Sequence, residues 1–276
     1  MSRDERRTIG LDRPIHLEWL DAAAGSLADG RSPKEARDFV WKLLDGTVAG
    51  KTAQSARGKT LTVISRVWLN VPASARPLRD SALKVIEHAS AEDRLALHWA
   101  LLSATYPFFL DVASHIGRLL GLNGDFSLGQ LTRRVVEGWG DRSTLRPAIQ
   151  RLVRSMSTWG VLAPGDRPGV YVSPKRRIAV ADGAAELLLE GFLAPVGREM
   201  PLAQLLAHPA AFPFTMRVDT SRLRRSSRLR IHRQGDQSDL VELVEDRHST
   251  PPAPPKLTIR RKRSPRATKQ LRLIDP

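Results

Sequence analysis

The chain contains no cysteine, and this absence removes several classes of site. It excludes structural disulfides, zinc sites built on cysteine and thiol nucleophiles, because each of these needs a cysteine sulfur. The seven histidines are scattered, with none four residues from another, so a histidine-based metal site is not indicated either. The sequence also shows no compact acidic cluster and no nucleophile-elbow motif. We therefore expect a protein that is not an enzyme and that uses no metal and no cofactor.

Long hydrophobic runs are missing as well. The most apolar stretch, Leu95–Leu110, has 16 residues and includes His98 and Pro107. A membrane-spanning helix needs about 20 apolar residues, so this stretch is predicted to be a buried core helix that bends or ends near Pro107. His98 is then expected to be a hydrogen-bonded core residue. Residues 1–10 are polar and charged, so we expect no signal peptide and a cytoplasmic location.

Acidic residues are few compared with basic ones. The chain has 29 Asp and Glu against 44 Lys and Arg, which gives a net charge of +15. The isoelectric point calculated from the sequence is about 11.1. This balance indicates a polyanionic partner, with nucleic acid as the first candidate. The alternative is a generally basic proteome or a solubility effect near ribosomes, in which case the charge identifies no partner.

The segment 126–181 has the pattern of a winged helix-turn-helix. Apolar residues recur at helical spacing over Leu128–Trp139, and a glycine-containing turn follows. A second helix is predicted to begin after an N-cap at Ser143 or Thr144 and to end at Gly160. Two short β-prone pieces joined by the sequence PGDRPG come next, as expected of a wing.

Arginine dominates the polar positions of this segment. A helix of this type can lie in the DNA major groove, where arginine and glutamine side chains reach phosphates and base edges. The alternative is a packing unit that binds protein, as in other winged helices. The candidate DNA-binding residues lie on the two helices, on the turn and at the wing: Arg133, Arg134, Arg142, Arg146, Gln150, Arg151, Arg154, Lys175, Arg176 and Arg177.

The expected fold class is mainly α, and the rest of the chain divides by pattern. Residues 1–13 are predicted to be a flexible N-terminus, and residues 14–125 a helical domain. Within that domain, the sequence Ser32–Glu35 predicts a capping box with proline at the first helical position. Residues 182–246 are predicted to form a small α+β segment that ends in a β-hairpin.

Residues 247–276 are predicted to be a disordered basic tail. They contain a proline cluster, nine Lys and Arg and a single acidic residue. Such a tail can follow the phosphates of a nucleic acid without reading sequence, and its binding depends strongly on salt. The alternative is a solvated linker with no role. Four adjacent cations in the tail complete the set of candidate DNA-binding residues: Arg260, Arg261, Lys262 and Arg263.

Residues 53–60 satisfy a relaxed Walker A pattern. A P-loop needs a buried strand before it, whereas the preceding residues have the pattern of a helix end and a loop. The first glycine of the motif is also replaced by Ala53. We therefore favour a small basic loop in which Lys51, Arg57 and Lys59 contact a backbone phosphate.

Residues 90–165 combine a helix that ends in a Tyr-Pro-Phe element, a second helix, and a two-helix unit that closes in Trp-Gly-Val-Leu. This combination resembles the BrxA family (domain of unknown function 1819) of BREX phage-defence systems. The resemblance implies a small, non-enzymatic, mostly helical DNA-binding component of an anti-phage operon. Residues 200–276 lie outside the resemblance. Its specific anchors are core-type positions: Tyr106, Pro107, Phe108, Trp159, Gly160 and Leu162.

Taken together, these patterns predict a non-enzymatic protein that binds duplex DNA through a basic winged helix and a basic tail, within a BREX-like defence system. Two alternatives stay open. In the first alternative, the chain is a protein-interaction subunit that docks a larger defence effector. In the second, it is a winged-helix transcriptional regulator. Tight, salt-resistant binding to one operator sequence would distinguish the regulator.

Overall fold

In the computed structural model, which describes residues 9–195, 199–234 and 238–244, six α-helices form the first part of the chain. A π-helical turn at Ser65–Leu69 continues the third of them, and a 3-10 turn at Ala73–Ala75 precedes the fourth. The helices are α1 (Leu17–Ala28), α2 (Pro33–Leu43), α3 (Ala56–Ile64), α4 (Arg76–Ile86), α5 (Ala91–Thr105) and α6 (Pro107–Asn123).

Local capping explains where several of these helices begin. Ser32 and Glu35 form the predicted capping box at the start of α2: the Ser32 hydroxyl accepts from the Glu35 amide, and a Glu35 carboxylate oxygen accepts from the Ser32 amide at 2.8 Å. The hydroxyl of Ser90 accepts from the amide of Asp93 at 3.1 Å and caps α5. Pro107 begins α6, where its missing N–H costs nothing.

Helix α5 is the centre of the core. From Leu95 onward every residue of α5 is buried, as expected of a helix that is covered on all sides. The helix ends at Thr105, which confirms the predicted core helix that stops near Pro107. Its Trp99 ring packs edge-on against Phe109, with 4.8 Å between the ring centroids. Across the described residues, no single helix is both long and apolar enough to cross a membrane; α5 and α6 meet that test only together, and a 118° bend separates them.

A buried chain of polar contacts joins α1, the π-helical turn and α5. The indole N–H of Trp68 donates to Nδ1 of His98 at 3.0 Å, and Nε2 of His98 lies 3.0 Å from Oδ1 of Asp21. An indole N–H can only donate, so Nδ1 is the acceptor and Nε2–H donates to Asp21. Burial lowers the pKa of His98, although the carboxylate of Asp21 opposes the shift. His98 is therefore the neutral, hydrogen-bonded core residue that the sequence predicts.

Five more helices and eight short strands form the second part of the described chain. A 3-10 turn at Pro209–Ala211 lies between α10 and β6. In chain order the elements are β1 (Asp125–Ser127), α7 (Leu128–Trp139), α8 (Leu145–Thr158), β2 (Ala163–Pro164), β3 (Val170–Val172), β4 (Ile178–Val180), α9 (Asp182–Leu193), β5 (Met200–Pro201), α10 (Leu202–Leu206), β6 (Phe214–Met216), α11 (Thr220–Arg225), β7 (Leu229–Gln234) and β8 (Ser238–Leu243).

The strands form three small sheets within the described residues. The first is antiparallel with the order β1-β3-β2, and Phe126 pairs with Tyr171 in its register. The second is the parallel pair β4-β6, in which Ala179 is opposite Thr215. The third is antiparallel with the order β5-β8-β7. Its β7 and β8 form the hairpin that the sequence predicts near the end of the α+β segment.

A buried ion pair attaches this hairpin to the helical core. The Nε atom of Arg228, just before β7, donates to both carboxylate oxygens of Glu190 on α9, at 2.9 and 3.0 Å. The Nη2 atom of Arg228 contacts the same carboxylate. Only 4% of the Glu190 side chain is exposed. The hydrogen bonds from Arg228 therefore take the place of the water that would otherwise solvate the Glu190 carboxylate.

The mainly helical fold class with small sheets is confirmed. One cluster of buried apolar side chains extends from Ile9 to Val241, so all the segments contribute to a single core. The predicted divisions at residues 126 and 182 stay predictions. The predicted tail, residues 247–276, lies outside the described residues.

Candidate nucleic-acid interface

The candidate interface is built on α7 and α8. A second capping box begins α7: the Ser127 hydroxyl accepts from the Gln130 amide at 3.2 Å, and Oε1 of Gln130 accepts from the Ser127 amide at 2.7 Å. Gly140 ends the helix with a φ of 76°, a left-handed value that favours glycine. The chain then turns and begins α8 after Thr144. Both helices bury an apolar stripe, which leaves their remaining faces for solvent.

The inner edge of α8 is attached to the N-terminal segment of the chain. The hydroxyl of Ser155 accepts from the backbone N–H of Ile15 at 2.9 Å. The indole N–H of Trp159, which follows the helix, donates to the carbonyl of Ile15 at 2.8 Å. These two buried hydrogen bonds fix the C-terminal end of α8 against the core, so its outer face is held in a defined orientation.

The outer face of α8 carries a row of long polar side chains. Arg146, Gln150 and Arg154 are spaced four residues apart, and all three are exposed. Residues with this spacing lie next to one another on one helix face. Arg146 is 3.5 Å from the carboxylate of exposed Asp141, whereas Gln150 and Arg154 make no side-chain hydrogen bond or ion pair with any described residue. Arg151 is half-buried at the edge of the row.

The remaining predicted cations near the two helices are also exposed. Arg133 and Arg134 lie on the solvent side of α7, and the Arg134 guanidinium is 3.8 Å from the Glu137 carboxylate one turn along. This part of α7 packs beside α6, where burial and then the positive charges of Arg118 and Arg134 lower the pKa of His115, although the carboxylate of Asp111 opposes the shift. Arg142 is exposed in the turn between α7 and α8.

Strands β2 and β3 form a hairpin beside the helices. The Gly165 amide donates to the Val170 carbonyl at 2.9 Å, and the Val170 amide donates to the Arg167 carbonyl at 3.1 Å. The rings of Phe126 and Tyr171 stack with centroids 5.5 Å apart and hold the sheet together. Exposed Arg167 at the hairpin tip is a candidate contact that sequence reasoning missed. Its position inside the predicted turn PGDRPG is the sequence feature that could have identified it as a contact of the wing.

The predicted cations Lys175, Arg176 and Arg177 lie beyond this hairpin. They connect β3 to β4, which belongs to a different sheet. Arg177 donates from Nε to the carbonyl of Phe212 at 3.1 Å and from Nη2 to the carbonyl of Ala211 at 3.4 Å. Its guanidinium is therefore attached to a loop of the C-terminal segment. The tail cations, which lie outside the described residues, are Arg260, Arg261, Lys262 and Arg263.

This region carries nearly half of the chain's net charge. Residues 127–180 contain ten Lys and Arg but only three Asp and Glu, so they contribute +7 of the total +15. Helix α8 contains three arginines and no acidic residue. A phosphate backbone approaching the outer face of α8 would therefore meet the charge of these arginines and no carboxylate from the helix itself.

The predicted phosphate contact at Arg57 is wrong. Its side chain is buried, donates from Nη1 to the Asp45 carboxylate at 2.7 Å, and lies over the Trp41 ring with its central carbon 4.2 Å from the centroid. Arg57 thus fixes the loop before α3. Lys51 and Lys59 are exposed. In the part of the chain that the structure describes, no group of three or more His, Asp or Glu could hold a metal ion.

Comparisons with protein-family models, with curated proteins and with solved structures find no match to this chain. The resemblance to the BrxA family therefore rests on the quoted sequence features alone.

Proposed function

We propose that this chain is a non-enzymatic, cytoplasmic DNA-binding protein, and that residues 126–181 act as a winged helix-turn-helix. In this proposal α8 lies in the major groove of duplex DNA and the β2–β3 hairpin is the wing. The observation that carries the proposal is the exposed row of Arg146, Gln150 and Arg154 on a helix that has no acidic residue.

The chemistry of the row suits a groove that carries both phosphates and base edges. Arginine can donate two hydrogen bonds to a guanine edge, and glutamine can pair with an adenine edge. Gln150 is at the centre of the row, so we assign it to base contact, whereas the flanking Arg146 and Arg154 contact a base edge or a phosphate. Exposed Arg167 at the hairpin tip is the matching contact of the wing.

We further propose that the protein belongs to a BREX-like anti-phage system. This part is supported by the sequence features shared with the BrxA family. Its partners would be duplex DNA and other proteins of the defence operon. Phage should plate more efficiently on a host that lacks this chain, and restoring the chain with an intact α8 row should reverse the effect. Unchanged plating would reject the defence role but leave DNA binding as a separate question.

The DNA-binding proposal is tested by the affinity of the full chain for labelled duplex DNA. The double variant Arg146→Ala/Arg154→Ala should weaken binding by about tenfold or more, because each base-reading arginine contributes about 1–3 kcal/mol. The matched control is Arg76→Ala/Lys84→Ala, which removes two exposed cations from α4. It should leave the affinity unchanged. Equal losses in both variants would mean that net charge, rather than the α8 face, determines binding.

The contribution of residues 247–276 is tested separately by truncation. Removal of nine basic residues should weaken binding to all duplex sequences alike and should reduce the dependence of affinity on salt. An unchanged salt dependence would exclude the tail from the interface.

A second candidate function is docking of a larger effector protein. Phe39 and Leu43 favour it, because they are large, exposed apolar side chains four residues apart on α2. If docking is the function, Phe39→Ser should abolish co-purification of operon proteins, and the affinity for DNA should not respond to changes in α8.

A further inference from the structure

A cleft of about 690 Å³ lies between the C-terminal half of α6, the link from β3 to β4, and the segment 206–218. This volume is within the usual range for small-molecule sites. Its apolar lining includes Leu206, Phe212 and Met216, which are partly exposed. Within the lining, two backbones approach each other very closely, because a Cβ atom on Gly117 would lie 1.9 Å from the carbonyl oxygen of Pro209.

The polar groups that line the cleft are suited to donating hydrogen bonds. They belong to four lining residues whose side chains can donate: Ser173, Arg177, His208 and Thr215. Among the described residues, no aspartate or glutamate lines the cleft. An acidic group inside it would therefore meet a cation and hydrogen-bond donors without a competing carboxylate.

Arg177 is fixed with part of its guanidinium unused. Its Nε and Nη2 atoms donate to the carbonyls of Phe212 and Ala211, as described above. The Nη1 atom makes no hydrogen bond with any described residue. A guanidinium that is already immobilised loses little conformational entropy when it binds an acid.

His208 is held in the tautomer that donates from Nε2. Its Nδ1 accepts from the amide of Ala210 at 3.3 Å, and its ring stacks on Phe192 with 4.7 Å between the centroids. Burial and the nearby positive charge of Arg118 lower the pKa of His208 to about 4. At neutral pH the ring is therefore uncharged, and its Nε2–H is the group that can donate a hydrogen bond to a ligand.

We propose that this cleft binds a small amphipathic acid, whose apolar body packs on the Phe212 and Met216 side and whose anionic group pairs with Arg177 and His208. The inference does not rest on the proposed DNA binding. It does place a ligand beside Ser173, which directly follows β3 of the hairpin.

The probe for this site is 1-anilinonaphthalene-8-sulfonate, an apolar anion that fluoresces when it leaves water. The native full chain should bind it saturably with a stoichiometry of one. N-phenyl-1-naphthylamine has the same aromatic body without the sulfonate, and it should bind at least about tenfold more weakly, as expected for loss of a charge-assisted contact. Equal affinity for the two probes would contradict the anionic class of ligand.

Gly121→Met tests the location of the site. Gly121 lines the cleft on α6, and a Cβ atom there would meet no atom within 4 Å, so a methionine can fill the cleft without distorting the helix. We expect about tenfold weaker probe binding, since the added side chain takes space that the ligand needs. The matched control is Gly25→Met on α1, which also has open space but lies outside the cleft. Binding that is unchanged in Gly121→Met would overturn the proposal.

Arg177→Met tests the recognition of the acid. It should weaken binding of the sulfonate but not of the uncharged probe. Equal weakening of both probes would mean that Arg177 only supports the wall of the cleft, which would overturn its assigned role. Because Arg177 also holds two backbone carbonyls, the thermal midpoint of this variant is measured in parallel. If the variant does not fold, the probe preference and Gly121→Met still decide the proposal.

Discussion

Gly117 and Gly121 lie one turn apart on α6 and allow a controlled test of how that helix packs. A Cβ atom at position 117 would lie 1.9 Å from the carbonyl oxygen of Pro209, 2.7 Å from its carbonyl carbon and 3.2 Å from Cβ of Phe212. The first two contacts are with backbone, which cannot rotate away as a side chain can. At position 121 the same added atom meets nothing within 4 Å.

These distances set the size of the expected effects. Gly117→Ala must separate α6 from the 3-10 turn at Pro209–Ala211, and overpacking of this kind costs about 3 kcal/mol at the upper end of the usual range. Alanine stabilises a helix interior by about 0.5–1 kcal/mol compared with glycine. Gly117→Ala should therefore lose about 2 kcal/mol of unfolding free energy, whereas Gly121→Ala should gain about 0.5–1 kcal/mol.

The assay is urea unfolding of both variants and of the native chain, followed by tryptophan fluorescence. Thermal midpoints should agree, with a fall of about 4–8 °C for Gly117→Ala and a rise of about 2 °C for Gly121→Ala. If both variants gain stability, α6 and the segment after α10 do not approach as closely as described. The wall of the proposed ligand cleft that Gly117 and Pro209 line would then be wrong as well.

Two further predictions concern polar groups in the core. Arg228→Met should destabilise the protein by about 3 kcal/mol, because Glu190 would keep a buried charge without its partner; urea unfolding measures this, and a loss close to zero would contradict the buried ion pair. The second concerns acid. The pKa of His98 is lowered in the folded chain. Below pH 6.5, His98 therefore binds a proton in the unfolded chain but stays neutral in the native chain. Stability should therefore fall as the pH drops from 6.5, and thermal midpoints of His98→Gln should fall less steeply with pH than those of the native chain. Parallel slopes would exclude His98 as a source of the acid sensitivity.

The elements that local sequence patterns predicted well are those whose signals lie within the element itself. The Ser32 capping box at the start of α2 forms as its spacing predicts. The buried helix that stops before Pro107 follows from its composition and from the proline. In each of these cases the deciding residues are close together in the sequence.

The features that were missed depend on distant partners. Strand β1 pairs with β3, which is more than 40 residues away, and two or three residues per strand are too few to show an alternating pattern. The burial of Arg57 depends on Asp45 and on the carbonyl and ring of Trp41, so a sequence window cannot distinguish it from a surface cation. The role of Arg177 likewise depends on the carbonyls of residues 211 and 212.

The candidate site was predicted from charge and periodicity, whereas the contacts that hold α8 in place are seen only in the structure. Exposure of Arg146, Gln150 and Arg154 follows from their spacing on an amphipathic helix. The hydrogen bonds from Ile15 and Trp159 that hold this helix span 140 and 144 residues and could not be predicted locally.

The most direct test of the central claim is a salt titration of the affinity of the full chain for duplex DNA. Plotted as log affinity against log salt concentration, the native chain should give a steep negative slope. The Arg146→Ala/Arg154→Ala variant should give a slope that is shallower by up to about 1.8, because each arginine that contacts a phosphate contributes about 0.9. A smaller change with lost affinity would assign one of the arginines to a base. The Arg76→Ala/Lys84→Ala control should match the native slope. No binding by the native chain near about 100 mM salt, where non-specific phosphate contacts should persist, or unchanged binding by the α8 variant, would contradict the account.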